Sequence, residues 1–339
     1  MSLQSPSAVP APLANHNGWP WSESPLTLSD PLPDGALWPR ISIVTPSFNQ
    51  AQYLEAAIRS VLLQGYPNLE FIVMDGGSTD GSMDIIRHYG KLIDFWVSEP
   101  DAGQSDAISQ GFSRANGSIL GWLNSDDLLL PGALSAVALA FHKSPGMGLF
   151  YGGAEIIDAE GHFVRTYNDF RPYDYEVLLH DDNIIPQPSA FFSTEIWREC
   201  GPLRVDLHYV MDWDLWIRIA RNHEVNCTST ALSQVRIYPQ AKSASGGLDR
   251  HIETRDMLLA HGSHAARIHY KIGLWYYQRD QMKEARPYFV EGLRRSPSPQ
   301  VRRYLIGLLV KSLLGSHLVD LGRSLRSRSP GGRNRVRRL

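Results

Sequence analysis

Gly121-Trp122-Leu123-Asn124-Ser125-Asp126-Asp127 is the stretch on which the fold turns. An apolar run from Ile119 to Leu123 ends in Asn-Ser-Asp-Asp, and Leu128-Leu129-Leu130-Pro131 follows at once. A short apolar run of this kind reads as a buried strand, and polar groups at the carboxyl edge of an α/β sheet are where ligands bind. Two adjacent carboxylates are costly there unless something positive faces them. A hard divalent cation shared with a diphosphate meets that need, because Mg²⁺ is usually held by one or two carboxylates together with phosphate oxygens. Asp and Ser at a helix start also satisfy free backbone N–H groups, so the tetrapeptide alone leaves both readings open.

The residues upstream repeat one pattern. Ile41 to Thr45 is a strand stopped by Pro46-Ser47-Phe48-Asn49, and an amphipathic helix runs from Tyr53 to Leu63. Leu69 to Met74 is a second strand, which enters the glycine-rich turn Asp75-Gly76-Gly77-Ser78-Thr79-Asp80-Gly81-Ser82 and a helix from Met83 to Tyr89. Phe95 to Ser98 is a third, and Asp101 to Asp106 opens the helix Ala107 to Arg114. Strand and helix alternating with short connections predict a parallel sheet wound right-handedly with helices against it. Thr45, Asp75 and Asp126-Asp127 then gather at its carboxyl edge, as a nucleotide site requires. A Rossmann dinucleotide site is disfavoured, since Gly-x-Gly-x-x-Gly is missing from the first turn, and no Gly-Lys-Ser/Thr phosphate loop occurs.

Five ordered blocks carry a resemblance: Ile43-Val-Thr-Pro-Ser-Phe-Asn49, Met74-Asp-Gly-Gly-Ser-Thr-Asp-Gly-Ser82, Trp122-Leu-Asn-Ser-Asp-Asp127, Ile185-Pro-Gln-Pro-Ser189 and Met211-Asp-Trp-Asp-Leu-Trp-Ile-Arg218. Together they resemble the family 2 glycosyltransferases, which have the α/β fold called GT-A. The resemblance spans roughly residues 39–246. It implies an inverting transferase with a nucleotide-sugar donor, a UDP-sugar first among them, and a divalent metal, Mn²⁺ or Mg²⁺. By the family's motifs, Thr45, Pro46, Asp75, Asp106, Asn124 and Asp126 are expected at the nucleotide-sugar, and Asp126 and Asp127 at the metal. Three positions depart from the pattern. Asn124 stands where the family usually has the first Asp of Asp-x-Asp, Gly76 follows Asp75 where a second Asp is common, and Tyr238 follows Arg236-Ile237 where His is common.

Inverting sugar transfer needs a base that takes the proton of the attacking hydroxyl, and a carboxylate within hydrogen-bond reach can serve. The resemblance assigns this role to Asp212, with Met211 in place of the family's neighbouring Glu. Asp212 and Asp214 as plain helix caps are the alternative. Gln187, Ser189 and Trp213 are expected beside the acceptor, with Arg236 and Lys242 steadying the departing diphosphate; the two prolines of Ile185 to Ser189 simply shaping a loop is the competing reading. Among the scattered histidines no pair has metal spacing.

The remaining chain frames this domain. Of its 339 residues 43% are hydrophobic and the formal net charge is -2, enough for one large α/β domain with an appendage and no case for nucleic acid. Cys200 and Cys227 form no zinc or disulfide pattern, and Met1 to Asn17 lacks a signal peptide's basic start and apolar core, so a cytoplasmic setting is expected. Residues 1–38 are Pro- and Ser-rich and read as a flexible arm, although Trp19 and Trp21 suggest partial docking. Residues 39–247 are the GT-A domain. Residues 248–322 read as a helical extension in which Ala266 to Tyr277 and Met282 to Arg294 resemble a tetratricopeptide pair, with Ala285, Tyr288 and Phe289 on the seam; it would pack on the domain, a protein partner or a second copy. Residues 323–339 carry seven arginines from Arg323 to Arg338 without an acid. That tail suits an anionic membrane surface, peripheral on its inner face, or simply a solvated end. A saccharide or lipid-linked acceptor for polysaccharide or glycolipid synthesis follows from the resemblance alone. A non-catalytic nucleotide-sugar-binding or scaffold protein is the rival reading, with nucleotidyl transfer behind it because Thr45 to Gln50 lacks a basic glycine loop.

Overall fold

The structure is a computed structural model that describes residues 9–13, 17–29, 31–32, 34–167 and 170–314. Contacts divide the chain into two units, residues 1–246 and 247–339. In the first, β1 (Ile41–Ser47), α1 (Ala51–Leu62), β2 (Leu69–Asp75), α2 (Ser82–Tyr89), β3 (Phe95–Ser98), α3 (Gln104–Arg114) and β4 (Ile119–Trp122) alternate as expected. All of β1 is buried, and all of β2 except its first residue, as continuous apolar strands covered on both faces should be. These strands pair in parallel, with Ser47 opposite Asp75 and Val44 opposite Trp122. Their carboxyl ends, and the loops beyond them, therefore emerge along one edge.

The other half of the sheet is mixed. It contains β5 (Leu128–Leu129), β6 (Leu149–Ile157), β7 (Phe163–Thr166), β8 (Ala190–Ser193) and β9 (Val225–Arg236), joined by α4 (Ala133–Lys143), α5 (Tyr175–His180), α6 (Thr194–Cys200) and α7 (Met211–Ala220). The order across the described strands is β3-β2-β1-β4-β8-β6-β9-β5, with β7 beside β6. β8 lies antiparallel to both β4 and β6. β9 runs parallel to β6 and brings Arg236 opposite Ile157, while Gln234 meets Leu128. The long return of β9 thus delivers Arg236 to the end of the Asn124–Asp127 turn. The wound parallel sheet describes the β3-β2-β1-β4 half, and helices flank the whole.

Beneath that turn Trp122 stacks on the fully buried Trp216 at 5.4 Å and 22°. Phe112, Phe192 and Trp197 close around them edge-on. Each such ring contributes about 1.5–3 kcal/mol by burial, so the floor of the edge is rigid. Gly121 is required there, because a Cβ would lie 2.7 Å from the Phe191 ring.

The described part of residues 1–38 makes hydrogen bonds to α1 and β5. Arg59 of α1 is buried and donates to the carbonyls of Pro10 and Pro20 at 2.7 and 3.0 Å and to the Tyr89 hydroxyl. Buried Glu55 accepts from the Leu13 N–H and the Tyr89 hydroxyl. Trp19 donates to the Leu129 carbonyl at 2.8 Å, and Leu32 and Trp38 are buried. A buried guanidinium must find acceptors, and the arm's carbonyls supply them.

In the second unit α9 (Gly247–Ala260), α10 (Ala266–Tyr277), α11 (Met282–Arg295) and α12 (Pro299–Leu314) follow α8 (Lys242–Ser245) of the first. Ala285, Phe289, Leu305 and Leu308 form its core, and Tyr288 stacks on Tyr276 at 5.7 Å and 17°. Gly273 lets α10 approach α11, since a Cβ there would meet the Phe289 ring at 2.6 Å. No helix among the described residues is long and apolar enough to cross a membrane. The basic tail, residues 323–339, lies outside the described residues.

Candidate active site

The site forms where β1, β2 and β4 end and β9 returns. At the end of β1, the hydroxyls of Thr45 and Ser47 are buried without a hydrogen-bond partner, with Pro46 between them in the strand. Asp75, at the end of β2, accepts from Ser78 N at 2.8 Å, Gly77 N at 3.2 Å and the hydroxyls of Ser78 and Ser98 at 2.5 and 2.6 Å. It ties the glycine turn to β3. Gly77 has φ +84°, a conformation that favours glycine, and a Cβ on Gly76 would meet Asp101 Oδ2 at 2.9 Å. A side chain at position 76 would have to share this space with the Asp101 carboxylate. Asp106, in the first turn of α3, accepts from Ala102 N at 3.0 Å and Gln110 Nε2 at 2.9 Å, which closes its own loop.

Beyond β4, Asp127 is buried and held on both oxygens, by Arg236 N at 3.0 Å and Asn124 Nδ2 at 3.2 Å. Asp126 Oδ2 accepts the Tyr238 hydroxyl at 2.9 Å. Burial pushes both carboxyls above the usual carboxylate range, and the Asp126 charge pushes Asp127 further. Burial and the same charge keep Tyr238 a neutral phenol, so it donates. Arg236 stacks over Tyr53 at 4.7 Å and donates to the carbonyls of Asp126, Asp158 and Ala159, each at 3.0 Å. Its guanidinium braces the turn rather than standing open to a phosphate. Tyr238 therefore touches an expected metal ligand, and Gln50 donates to it at 3.3 Å.

Adjacent carboxylates offer hard oxygen ligands of the kind that hold a divalent cation together with a diphosphate. Asp126 and Asp127 would hold it. Two groups of three ligand-type residues also occur among the described residues, Asp158/Glu160/His162 and Glu199/Cys200/His223, each with ligand atoms within 4.8 Å. The second places His223 beside a cysteine and a glutamate, a grouping that the absence of a metal-spaced histidine pair in the sequence does not address. Sequence spacing missed it because α6 and the loop after α7 are far apart in the chain.

Asp212, in the first turn of α7, accepts from Asn183 Nδ2 at 3.2 Å. The segment from Asn183 to Gln187 reaches the turn after β4, where Gln187 Oε1 accepts from Asn124 Nδ2 at 2.8 Å. Asp212 and Asn124 are thus linked through one short loop. Met211 is buried, and an acid in its place would lose solvent. Lys242 reaches in from α8 and donates to Gln104 Oε1 at 2.8 Å.

Two expected acceptor contacts are placed elsewhere. Ser189 is fully buried and bonds the Gly153 carbonyl at 2.7 Å and Ser233 Oγ at 2.6 Å, so it joins β6 to β9. Trp213 is buried, and its Nε1 donates to the Leu178 carbonyl at 2.7 Å, fastening α7 to α5. Asp214 is buried against Arg218 at 2.9 Å and Arg204 at 3.7 Å. Gln50, Tyr53, Gln104 and Asn183 also contribute; they lie in or beside stretches the sequence marks as helix starts and loops, but no motif gives their side chains a site role.

The family model Glycosyl transferase family 2 matches residues 42–199. These residues are a family 2 glycosyltransferase domain. An uncharacterized glycosyltransferase of Rickettsia typhi is 27% identical over 248 residues, covering 66% of this chain and 76% of that protein. One of Mycobacterium tuberculosis is 28% identical over 186 residues, covering 54% and 69%. Among solved structures, S. aureus TarS 1-349 in complex with UDP-GlcNAc aligns with a TM-score of 0.57 at 14% identity, over 80% of this chain and 89% of that one. The mannosyltransferase PcManGT of Pyrobaculum calidifontis, in complex with GDP-Man and Mn²⁺, aligns at 0.53 and 20% identity, over 86% and 81%. At these identities the structures establish the GT-A fold. The glycosyltransferase domain therefore carries its motifs where the sheet edge gathers them.

Proposed function

We propose that this glycosyltransferase is an inverting enzyme. It moves a sugar from a nucleoside-diphosphate donor, with UDP-sugars the first choice, to a hydroxyl of a saccharide or lipid-linked acceptor in polysaccharide or glycolipid synthesis. The observation that carries this reading is the adjacent pair of half-buried Asp126 and buried Asp127, both raised above the ordinary carboxylate range, joined through Asn124 and the Asn183–Gln187 loop to Asp212 on a separate helix. One end suits a diphosphate, and the other a hydroxyl.

In this mechanism Thr45, Pro46 and Asp75 line the base and ribose side, and Asp126 and Asp127 are the residues that would hold Mn²⁺ or Mg²⁺. The cation, when bound, supplies Lewis-acid stabilisation of the departing diphosphate. Asp212 takes the proton of the acceptor hydroxyl as its oxygen bonds to the anomeric carbon. The bond from that carbon to the diphosphate oxygen breaks on the opposite side, and its electron pair leaves with the nucleoside diphosphate. Lys242, at the mouth of the same edge, is the cation suited to meet that charge. Nucleotide-sugar complexes of TarS and PcManGT, the latter with Mn²⁺, support the donor and metal classes. The cytoplasmic setting, and contact of the arginine tail with the membrane's inner face, belong to the same reading.

The test is nucleoside-diphosphate release from UDP-, GDP- and dTDP-sugars with Mn²⁺ or Mg²⁺ and a panel of saccharide acceptors, with the product's anomeric configuration read by NMR. Metal-dependent turnover with inverted configuration supports the reading. Absence of turnover together with no metal-dependent nucleotide binding by calorimetry overturns it in favour of a scaffold.

A further inference from the structure

Five groups at the site form an unbroken hydrogen-bond chain. Lys242 Nζ donates to Gln104 Oε1 at 2.8 Å, Gln104 Nε2 to Asn124 Oδ1 at 2.7 Å, Asn124 Nδ2 to Gln187 Oε1 at 2.8 Å, and Gln187 Nε2 to the Trp122 carbonyl at 2.8 Å. Both ends have a set polarity. A lysine ammonium only donates and a backbone carbonyl only accepts, so each of the three amides between them has a single orientation that satisfies the chain. Position 124 must accept on the Gln104 side and donate on the Gln187 side. The same Nδ2 also faces Asp127 Oδ2 at 3.2 Å.

We propose that Asn124 is a positioning residue whose amide is required, and that the carboxylate usual in the family at this position would break the site of this chain. As a statement about catalysis this rests on the glycosyl-transfer reading above. In Asn124→Asp the carboxylate could still accept from Gln104. Toward Gln187 it would set oxygen against oxygen, and a flip of the Gln187 amide would only move that clash to the Trp122 carbonyl. It would also place a third carboxylate against the buried Asp127, whose orientation the Asn124 amide now helps to hold. Through Gln104 and Gln187 the Asn124 amide further links Lys242, on the diphosphate side, to the loop that carries Asn183 and contacts Asp212. The departure from Asp-x-Asp is thus matched by Gln104, Lys242 and Gln187 and is no sign of lost function.

Two measurements test this. In thermal unfolding of the full chain, Asn124→Asp should lower the melting temperature by roughly 3–6 °C, the usual effect of an unmatched buried polar group in a domain of this size. Adding Gln187→Lys, whose ammonium donates both to the introduced carboxylate and to the Trp122 carbonyl, should raise it again, by more than the same change does in the native background. In steady-state diphosphate release, Asn124→Asp should lower kcat at least tenfold with donor KM changed less than threefold, since orientation is lost and the donor's contacts stay. Equal or higher melting temperature in Asn124→Asp, equal effects of Gln187→Lys in both backgrounds, or undiminished kcat would each overturn the proposal. Should the native chain turn over no donor, the transfer reading fails, while the melting comparison still decides the amide's role.

Discussion

Asp212 and Asp214 lie on the first turn of one helix, and their surroundings predict opposite consequences for one chemical change. Asp212→Asn keeps shape and removes the group that would accept the hydroxyl proton. Loss of a general base costs about 10²–10⁴-fold in rate. Its structural cost is small. Asp212 is half-buried and has the neutral Asn183 amide at 3.2 Å among its contacts; an isosteric amide keeps the shape and gives up about 0.3–1 kcal/mol of favourable charge at a helix start. Asp214→Asn is the control. Asp214 is 1% exposed and pairs with Arg218 at 2.9 Å and Arg204 at 3.7 Å. Removing one partner of a buried pair costs about 3–5 kcal/mol, and an amide that keeps part of the hydrogen bonding brings this to about 3 kcal/mol, or roughly 6–12 °C in melting temperature. The assay pairs diphosphate release with thermal unfolding for both variants. Asp212→Asn should lose turnover and keep its melting temperature, whereas Asp214→Asn should melt early. Turnover preserved in Asp212→Asn, or equal destabilisation of both variants, would refute the assignment of Asp212 as base.

Three further outcomes test the frame around the site. Removing residues 1–38 takes away the Pro10 and Pro20 carbonyls that accept from Arg59; it should cost about 3 kcal/mol or more, as for a buried charge stripped of partners, and unchanged denaturant unfolding would contradict the docked arm. Gly121→Ala sets a methyl 2.7 Å from the Phe191 ring, and overpacking of this kind costs about 1–3 kcal/mol, read as a shift in the urea midpoint. Glu70 gives the pH dependence: burial pushes it up, but hydrogen bonds from Asn116 and Ser42 and the Arg40 charge outweigh burial and hold it below its ordinary 4.5. A carboxylate depressed in the folded state contributes stability that is present above the unfolded value and lost as pH falls through the folded one. Glu70→Gln should therefore destabilise by about 1–3 kcal/mol at neutral pH, with the gap to the native chain closing as pH drops below 4.5; a constant gap would count against it.

The alternating units from Ile41 to Asp127 were legible in the sequence because their determinants are local. Apolar runs of strand length, a glycine turn after Asp75 and an Asp at or soon after the end of the second, third and fourth strands follow from periodicity and turn chemistry, and they predict a common edge before any coordinates are known. The helices around Ala285 and Phe289 were legible for the same reason. Tertiary structure decided what depends on side chains distant in the chain. It turned Ser189 and Trp213 into the buried fabric of the sheet and α7, set Arg236 as a brace on the Asp126 turn, and brought Cys200 beside His223. It docked the arm because Arg59, buried by the packing of α1, needs carbonyls that no local pattern announces. The polarity of the amide chain through Asn124 is of the same kind. The sequence shows an Asn where an Asp is usual, but whether that weakens or completes the site depends on which groups face it, and only the fold brings Lys242, Gln104 and Gln187 to that place.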